Sequence, residues 1–193
     1  MFKKKKRYEL QNVYRINPES KAYIIEVSLD DYEELFNGWD ASILKQKELE
    51  PELMDYLLSA SYEIPFKNRI ELWFFLPEAM IDESKEVLSV QGIVNNFKMK
   101  RHFIELLLHR NYRKIFTYII ISAIFLLFAY SLPNVIELNV LFSILMEGFF
   151  IGGWVLLWEA FSLFFFTSHD TRLDKKQYVR LMNSKIYFKI KKL

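Results

Sequence analysis

Met146-Glu-Gly-Phe-Phe-Ile-Gly-Gly-Trp-Val-Leu-Leu-Trp-Glu159 is the stretch on which the rest of the chain turns. It is the centre of an apolar run, Val140 to Phe166, of about 27 residues, where a helix needs roughly 20 to cross the hydrocarbon core of a bilayer. A plain anchor has no use for two carboxylates, three glycines and two tryptophans. Acidic groups are costly in lipid and face protein or water instead. The run therefore reads as a packing or conducting surface.

Upstream, Ile115 to Leu132 is a second apolar segment of about 18 residues, just enough to span. Pro133-Asn134 marks the turn, and the connection carries no lysine or arginine. Arg110, Arg113 and Lys114 precede the first span; Arg172, Lys175, Lys176 and Arg180 follow the second. The positive-inside rule then predicts a hairpin with both termini in the cytoplasm and only residues near Pro133 to Asn139 outside.

The chain has 193 residues, 52% hydrophobic and 26% charged, with a net charge of +2. Charge is concentrated in residues 1–114 and 167–193. The near-zero balance gives no global argument for nucleic acid. Absence of cysteine removes disulfides, thiolate catalysis and zinc–thiolate sites. The basic start, Met-Phe-Lys-Lys-Lys-Lys-Arg, lacks the apolar region of a cleaved signal. It reads as a solvated tail or as a contact for anionic lipid or a polyanion.

Lys21 to Leu29 is β-branched and aromatic, a strand, and Asn12 to Ile16 can pair with it as a hairpin across Asn17-Pro-Glu-Ser20. Asp30 is a candidate cap for a short helix, Asp31 to Phe36. Pro51 starts a helix with Leu53, Tyr56, Leu57 and Ala60 at helical spacing. Ile70 to Leu76 is a strand too apolar for a wet face, so central and covered. A long helix follows from Asp82 or Ser84. Its Val87, Val90, Val94, Phe97, Arg101, Ile104 and Leu108 approximate a heptad seam, weakened at Gly92. That helix either lies on its own domain's sheet or meets a second protomer, and nothing stops it before Ile115. In the tail, Lys185 to Lys191 alternates apolar and basic residues: a strand returning to the sheet, or a segment at the lipid interface.

The predicted fold is thus an α+β cytosolic domain fused to a two-span transmembrane hairpin. Its parts are a tail and possible hairpin strand at 1–20, the domain at 21–112 with its long helix at 82–112, spans at 115–132 and 138–166, and a basic tail at 167–193.

On the second span, Trp154 and Trp158 fall within about 20° of Glu147 at 100° per residue. Gly148, Gly152 and Glu159 share a neighbouring face, and Gly148-x-x-x-Gly152 is a spacing that lets helix backbones approach. Gly153 lies beside them. Counting from the predicted ends puts Glu147 near the bilayer midplane at the depth of Ser122, and Glu159 at the cytoplasmic headgroups. Glu147 then accepts a hydrogen bond from Ser122, is protonated, or rings a cation-conducting axis in an oligomer. His102, His109 and His169 share no metal-ligand spacing. No phosphate loop, nucleophile elbow or paired-carboxylate motif is present, so no enzymatic activity, metal or cofactor is expected.

Phe36-Asn-Gly-Trp-Asp40, Glu48-Leu-Glu-Pro51, Glu63-Ile-Pro65 and Glu147-Gly-Phe-Phe-Ile-Gly-Gly-Trp-Val-Leu-Leu-Trp158 together resemble a family of uncharacterised prokaryotic inner-membrane proteins. The likeness covers about residues 21–166. It implies an inner-membrane protein with a small cytosolic domain and two spans, and no activity to carry over. In layout alone the chain is similar to two-span effectors of bacterial anti-phage signalling, which oligomerise and breach the membrane. Two expectations follow: a homo-oligomeric pore gated by its cytosolic domain, or a non-conducting scaffold recruiting a cytosolic protein. The expected partners are the bilayer, further copies of the chain, and a nucleotide, an oligonucleotide or a protein. Lys98, Lys100 and Arg101 are the candidate receivers of a nucleotide, or an interfacial basic cluster.

Overall fold

The computed structural model describes residues 10–134 and 139–191, so the basic start and the centre of the turn after Pro133 lie outside the described residues. The chain divides into two compact units. One takes residues up to His102 together with the chain from Lys176 onward; the other runs from Phe103 to Lys175.

The first unit is a small α/β region. Strands β1 (Tyr23–Ser28), β2 (Ile70–Leu76) and β3 (Lys185–Ile190) form one sheet in the order β1-β2-β3. Both pairs are parallel, Ile25 facing Leu72 and Phe74 facing Phe188. Parallel neighbours cannot be joined by a tight turn and need a long crossover. Between β1 and β2 the crossover holds helix α1 (Pro51–Glu63). Between β2 and β3 it holds α2 (Glu83–Ser131), α3 (Val140–Ser162) and α4 (Ser168–Met182). The segregated α+β arrangement therefore gives way to a parallel sheet. The tail alternation resolves as a strand, because Ile186 and Phe188 turn toward the core while Lys185 and Lys189 stay exposed.

Residues 10–13 are helical, and Ile16 makes a single antiparallel bridge to Tyr23, so the expected hairpin at Asn12 to Ile16 shrinks to one contact. Asp31, not Asp30, caps the turn Tyr32–Leu35, accepting from the Glu33 amide. In α1 the inward side is Met54, Leu57, Ala60 and Ser61. Tyr56 is exposed and donates to the Glu26 carbonyl at 3.0 Å. The expected stripe is rotated by about one residue, because the tyrosine's polar tip is satisfied at the rim.

In α2, Asp82 caps the start by accepting from the Ser84 and Lys85 amides. In its part within the first unit, up to His102, the buried positions are Ser89, Gly92, Ile93, Asn96 and Phe97, while Val87 is exposed. This is the 3.6-residue stripe of a helix laid on its own unit, not the heptad seam. Gly92 belongs to that stripe: a Cβ there would lie 2.7 Å from the Leu44 carbonyl oxygen and 2.8 Å from the Phe36 ring. Asn96 then ties the 40s loop down. Its Nδ2 donates to the Lys47 carbonyl at 2.8 Å, and its Oδ1 accepts from the Leu49 amide at 3.0 Å.

All this packing lies on one face of the sheet, with Ile25, Leu72 and Phe74 in the core beside Leu57, Ile93, Phe97 and Leu181. Strand β2 is central, as expected, but it is not covered on both faces. Trp73 and Phe75 point the other way and are only half-buried.

From α4, Arg180 fastens the returning chain. Its guanidinium donates to the carbonyls of Ser61 at 2.6 Å, Ile64 at 2.9 Å, Pro65 at 3.2 Å and Asn68 at 2.8 Å. These include the carbonyls left without helical partners at the end of α1. Burial lowers the Arg180 pKa from its ordinary value, yet arginine stays charged throughout the accessible pH range. Replacing Arg180 by Met should destabilise this unit by about 2–4 kcal/mol, since hydrogen bonds from a charged group are among the stronger ones. Urea unfolding followed by protease resistance of the 51–68 segment measures it; a loss below half a kilocalorie would refute the assignment.

Glu71 gives a pH dependence. Burial pushes its carboxyl up, but hydrogen bonds involving Ser20, Asn17 and Trp73, with the charge of Lys185, outweigh that and leave the pKa below the ordinary glutamate value. A depressed folded-state value stabilises the fold above the unfolded pKa of about 4.3, and that contribution is lost as pH falls through the folded value. Unfolding midpoints should therefore drop below about pH 4, and Glu71→Gln should flatten that part of the profile.

Candidate functional site

In the second unit, α3 and the distal part of α2 pack on each other through small residues. Met146, Gly153 and Ala160 are the buried positions of α3, spaced by sevens along one side. A Cβ on Gly153 would sit 2.8 Å from Leu126 Cγ, and one on Gly152 would sit 3.3 Å from the Phe125 ring. Phe149 stands edge-on to Phe125, with ring centroids 5.1 Å apart. The buried Ser122 hydroxyl donates to the Gly153 carbonyl at 2.7 Å.

Ser122 thus pairs six residues beyond Glu147 on α3, about 9 Å further along the helix at 1.5 Å per residue. The expected Ser122–Glu147 bond is not made. Counting from Leu132 and Leu138 misplaced the two helices because the first continues through a 3-10 turn at Leu132–Asn134, while α3 starts only at Val140. The same pairing puts Glu159 six residues past Gly153, so the two carboxylates flank this hydrogen bond at about equal distances.

Glu147 and Gly148 are exposed, and nothing lies within 4 Å of a Cβ placed on Gly148. Gly148 is therefore not part of this helix–helix contact, whereas Gly152 and Gly153 are. Trp154 and Trp158 are 52% and 71% exposed and form an outward aromatic face with Phe150, Ile151 and Val155. Glu147 stands on that outward side. No hydrogen bond or ion pair reaches Glu147 or Glu159 among the described residues.

Where the apolar run ends, Leu163–Thr167 is a π-helical turn leading into α4. Beyond it Arg172 packs over the Phe164 and Tyr112 rings and donates to the Tyr112 hydroxyl at 2.8 Å. Lys175 pairs with Glu105 at 3.0 Å. α2 and the run from Val140 to Met182 are both long and apolar enough to cross a membrane.

Of the three expected nucleotide receivers, Lys100 is engaged by Glu48 at 3.4 Å, Lys98 is exposed, and Arg101 donates to Met182 Sδ at 3.9 Å. His109 Nδ1 lies 2.8 Å from the Glu105 carbonyl on its own helix, and His169 is 3.6 Å from Asp170. Among the described residues no group of His, Asp and Glu could hold a metal ion. The Met146–Gly153–Ala160 stripe was missed by the sequence reading, although its seven-residue spacing was open to view; the GxxxG pattern drew attention to the adjacent face.

No protein-family model matches the chain, and no curated protein or solved structure is similar to it.

The two glycine faces separate experimentally. Gly153→Val should loosen the helix pair by about 1–3 kcal/mol through overpacking against Leu126, and Ser122→Ala by about 0.6 kcal/mol. Gly148→Val should leave it unchanged. Denaturing-detergent titration in mixed micelles, read by fluorescence of Trp154 and Trp158, ranks them; equal effects at Gly148 and Gly153 would contradict the packing.

Proposed function

We propose that the two long apolar helices cross a prokaryotic inner membrane as a hairpin and assemble through the outward face of α3 into an ion-conducting oligomer controlled by the α/β unit. In this reading the protein is a membrane-disrupting effector of the kind used in bacterial anti-phage defence. The observation that carries it is Glu147: a carboxylate on an exposed apolar helix face, without a hydrogen-bond or ion-pair partner among the described residues. In a bilayer such a group is costly unless water or protein receives it, by at least about 2.5 kcal/mol at mid-depth and by less toward the interface. A ring of copies around a hydrated axis supplies both.

The hairpin topology has support of its own. β3, after the second long helix, pairs with β2, before the first. Strands of one sheet lie on one side of a membrane, so the chain between them crosses an even number of times. The flanking cations Arg110, Arg113, Lys175 and Lys176 favour the cytoplasm for that side.

Ser122 lies near the middle of the span from Ile115 to Leu132, so Glu147 sits about 9 Å toward the connecting turn, roughly 6 Å inside a 30 Å core. The proposed Glu147 ring is therefore at the outer mouth, and Glu159 is nearer the cytoplasmic mouth.

Two measurements test the proposal. Reporter fusions at Lys6 and Leu193 should both behave as cytoplasmic; a periplasmic C-terminus would end the hairpin reading. Glu147→Gln should preserve assembly but reduce cation conductance or selectivity severalfold, because the ring loses charge and keeps its shape. Single-channel recording, or dye influx at matched expression, decides it. Unchanged flux in an assembled Gln variant removes Glu147 from the mechanism, and absence of flux from wild type leaves the non-conducting scaffold.

A further inference from the structure

We propose that the half-bare face of the sheet binds a nucleobase carrying a phosphate, stacking the base on Trp73 and drawing the phosphate to Lys189. Strand alternation puts Glu71, Trp73 and Phe75 of β2 on this face. The parallel register sets Tyr187 beside Trp73 and Lys189 beside Phe75. The indole lies 6.0 Å from the Tyr187 ring, nearly edge-on at 74°, and 6.4 Å from Phe75. Three aromatic rings on a partly solvated sheet face are a platform on which flat bases stack regardless of sequence.

The platform is fixed in advance. Trp73 Nε1 donates to the Glu71 carboxylate at 3.1 Å, and Asn17 Nδ2 donates to the same oxygen at 2.8 Å. Glu71 is itself 2% exposed, so the indole is held by a buried anchor. A ring already locked in place loses little freedom on binding.

The charge is placed to suit a phosphate. Lys189 Nζ lies 5.3 Å from the Trp73 ring centre and 5.5 Å from that of Tyr187. Among the described residues it has no carboxylate partner, and it lies against these π faces. A stacked base takes over the ring face, and the ammonium swings to the phosphate beside it. Arg15 and Lys191 stand at the rim, held by Glu26 at 3.1 Å and Asp30 at 3.5 Å in exposed pairs that a phosphate can exchange. Glu26 and Glu86, also on the wall, disfavour a densely phosphorylated ligand and can accept from the amino group of a base.

Position agrees with chemistry. A cleft of about 910 Å³ opens here, lined by Val27 and Ser28 of β1, Phe75 of β2 and Lys189 and Ile190 of β3. These residues are at the carboxyl ends of three parallel strands, where open α/β sheets bind ligands. Its volume is that of a small-molecule site. A partner helix would want a continuous apolar groove, whereas charges alternate with rings on this face.

The ligand's shared chemistry, base plus phosphate, is that of a free nucleotide and of a single strand. The full chain, reconstituted in nanodiscs, is titrated with adenosine monophosphate, a deoxyadenosine hexanucleotide and inorganic tripolyphosphate, read by tryptophan quenching and calorimetry. One or both base-bearing probes should bind. Trp73→Ala and Tyr187→Ala should weaken binding at least tenfold, whereas Trp73→Phe, which keeps a ring, should stay within about threefold. Lys189→Gln should weaken it severalfold and reduce its salt dependence. A hexanucleotide bound tenfold more tightly than the monophosphate assigns a single strand; equal affinity assigns a free nucleotide. Tripolyphosphate binding as well as either, with Trp73→Ala neutral, would mean charge alone and would overturn the proposal. So would failure of both base-bearing probes to bind the wild type. Binding is read without ion flux, so this result stands or falls apart from that of the conduction assay.

Discussion

The pairing of β3 with β2 is the constraint on which the molecule depends. Each strand alone is short, and a three-stranded sheet is near the minimum that holds together in water. Without Lys185–Ile190, strand β2 would lose one of its two neighbours and Phe188 would leave the rings of Phe74 and Tyr32. Parallel pairing demands a crossover, and here the crossover contains both long apolar helices. The second unit is thus an insertion into one β-α-β connection, and the sheet closes only after the chain has completed both helices.

Closing such a long connection costs entropy that rises slowly with its length, so the returning end needs strong local ties. Arg180 supplies them through four carbonyls around the end of α1, and Gln177 accepts from the buried Ser61 hydroxyl at 2.7 Å. Leu181, fully buried, adds the apolar part. One turn of α4 therefore carries the polar and apolar links that hold the C-terminal strand in the sheet. The same cations that read as a positive flank in the sequence divide their work: Arg180 is structural, while Arg172 packs on Tyr112 and Phe164.

Local signals were legible where one element decides them. Pro51, the apolar β2 run and the two hydrophobic stretches all read correctly as elements. What failed depended on partners distant in sequence. Gly92 looked like a flaw in a seam because Phe36 and Leu44, which require it, lie about fifty residues away. The tail strand could not be distinguished from an interfacial segment, because its hydrogen-bonding partner β2 is separated from it by the whole crossover. The sheet's open face was missed for a related reason. Apolar Ile70 to Leu76 suggested cover on both sides, but Trp73 and Phe75 are amphipathic or large enough to be half-buried without a covering helix. At Glu147 the spacing gave the correct face and the wrong level, since helical phase is local whereas depth depends on where the partner helix ends.

That distinction between phase and depth shapes the membrane reading. The small-residue side of α3 is already occupied by α2, through Gly153, Leu126 and the Ser122 hydrogen bond. Gly148 lies outside that contact and has open space around it, so in the proposed oligomer it is free for close backbone approach by another copy. Glu147 is its immediate neighbour, on a side with two large exposed indoles. Lipid tails can solvate Trp154 and Trp158 but cannot solvate a carboxylate. An assembly that places Glu147 at a shared, hydrated axis, with Gly148 permitting close approach, satisfies both residues with one contact. A hairpin isolated in lipid satisfies neither. In the proposed oligomer, the acid near the outer mouth attracts cations while Gly148 lets the helices approach beside it, so charge sets which ions enter and the small residue sets how close the helices stand.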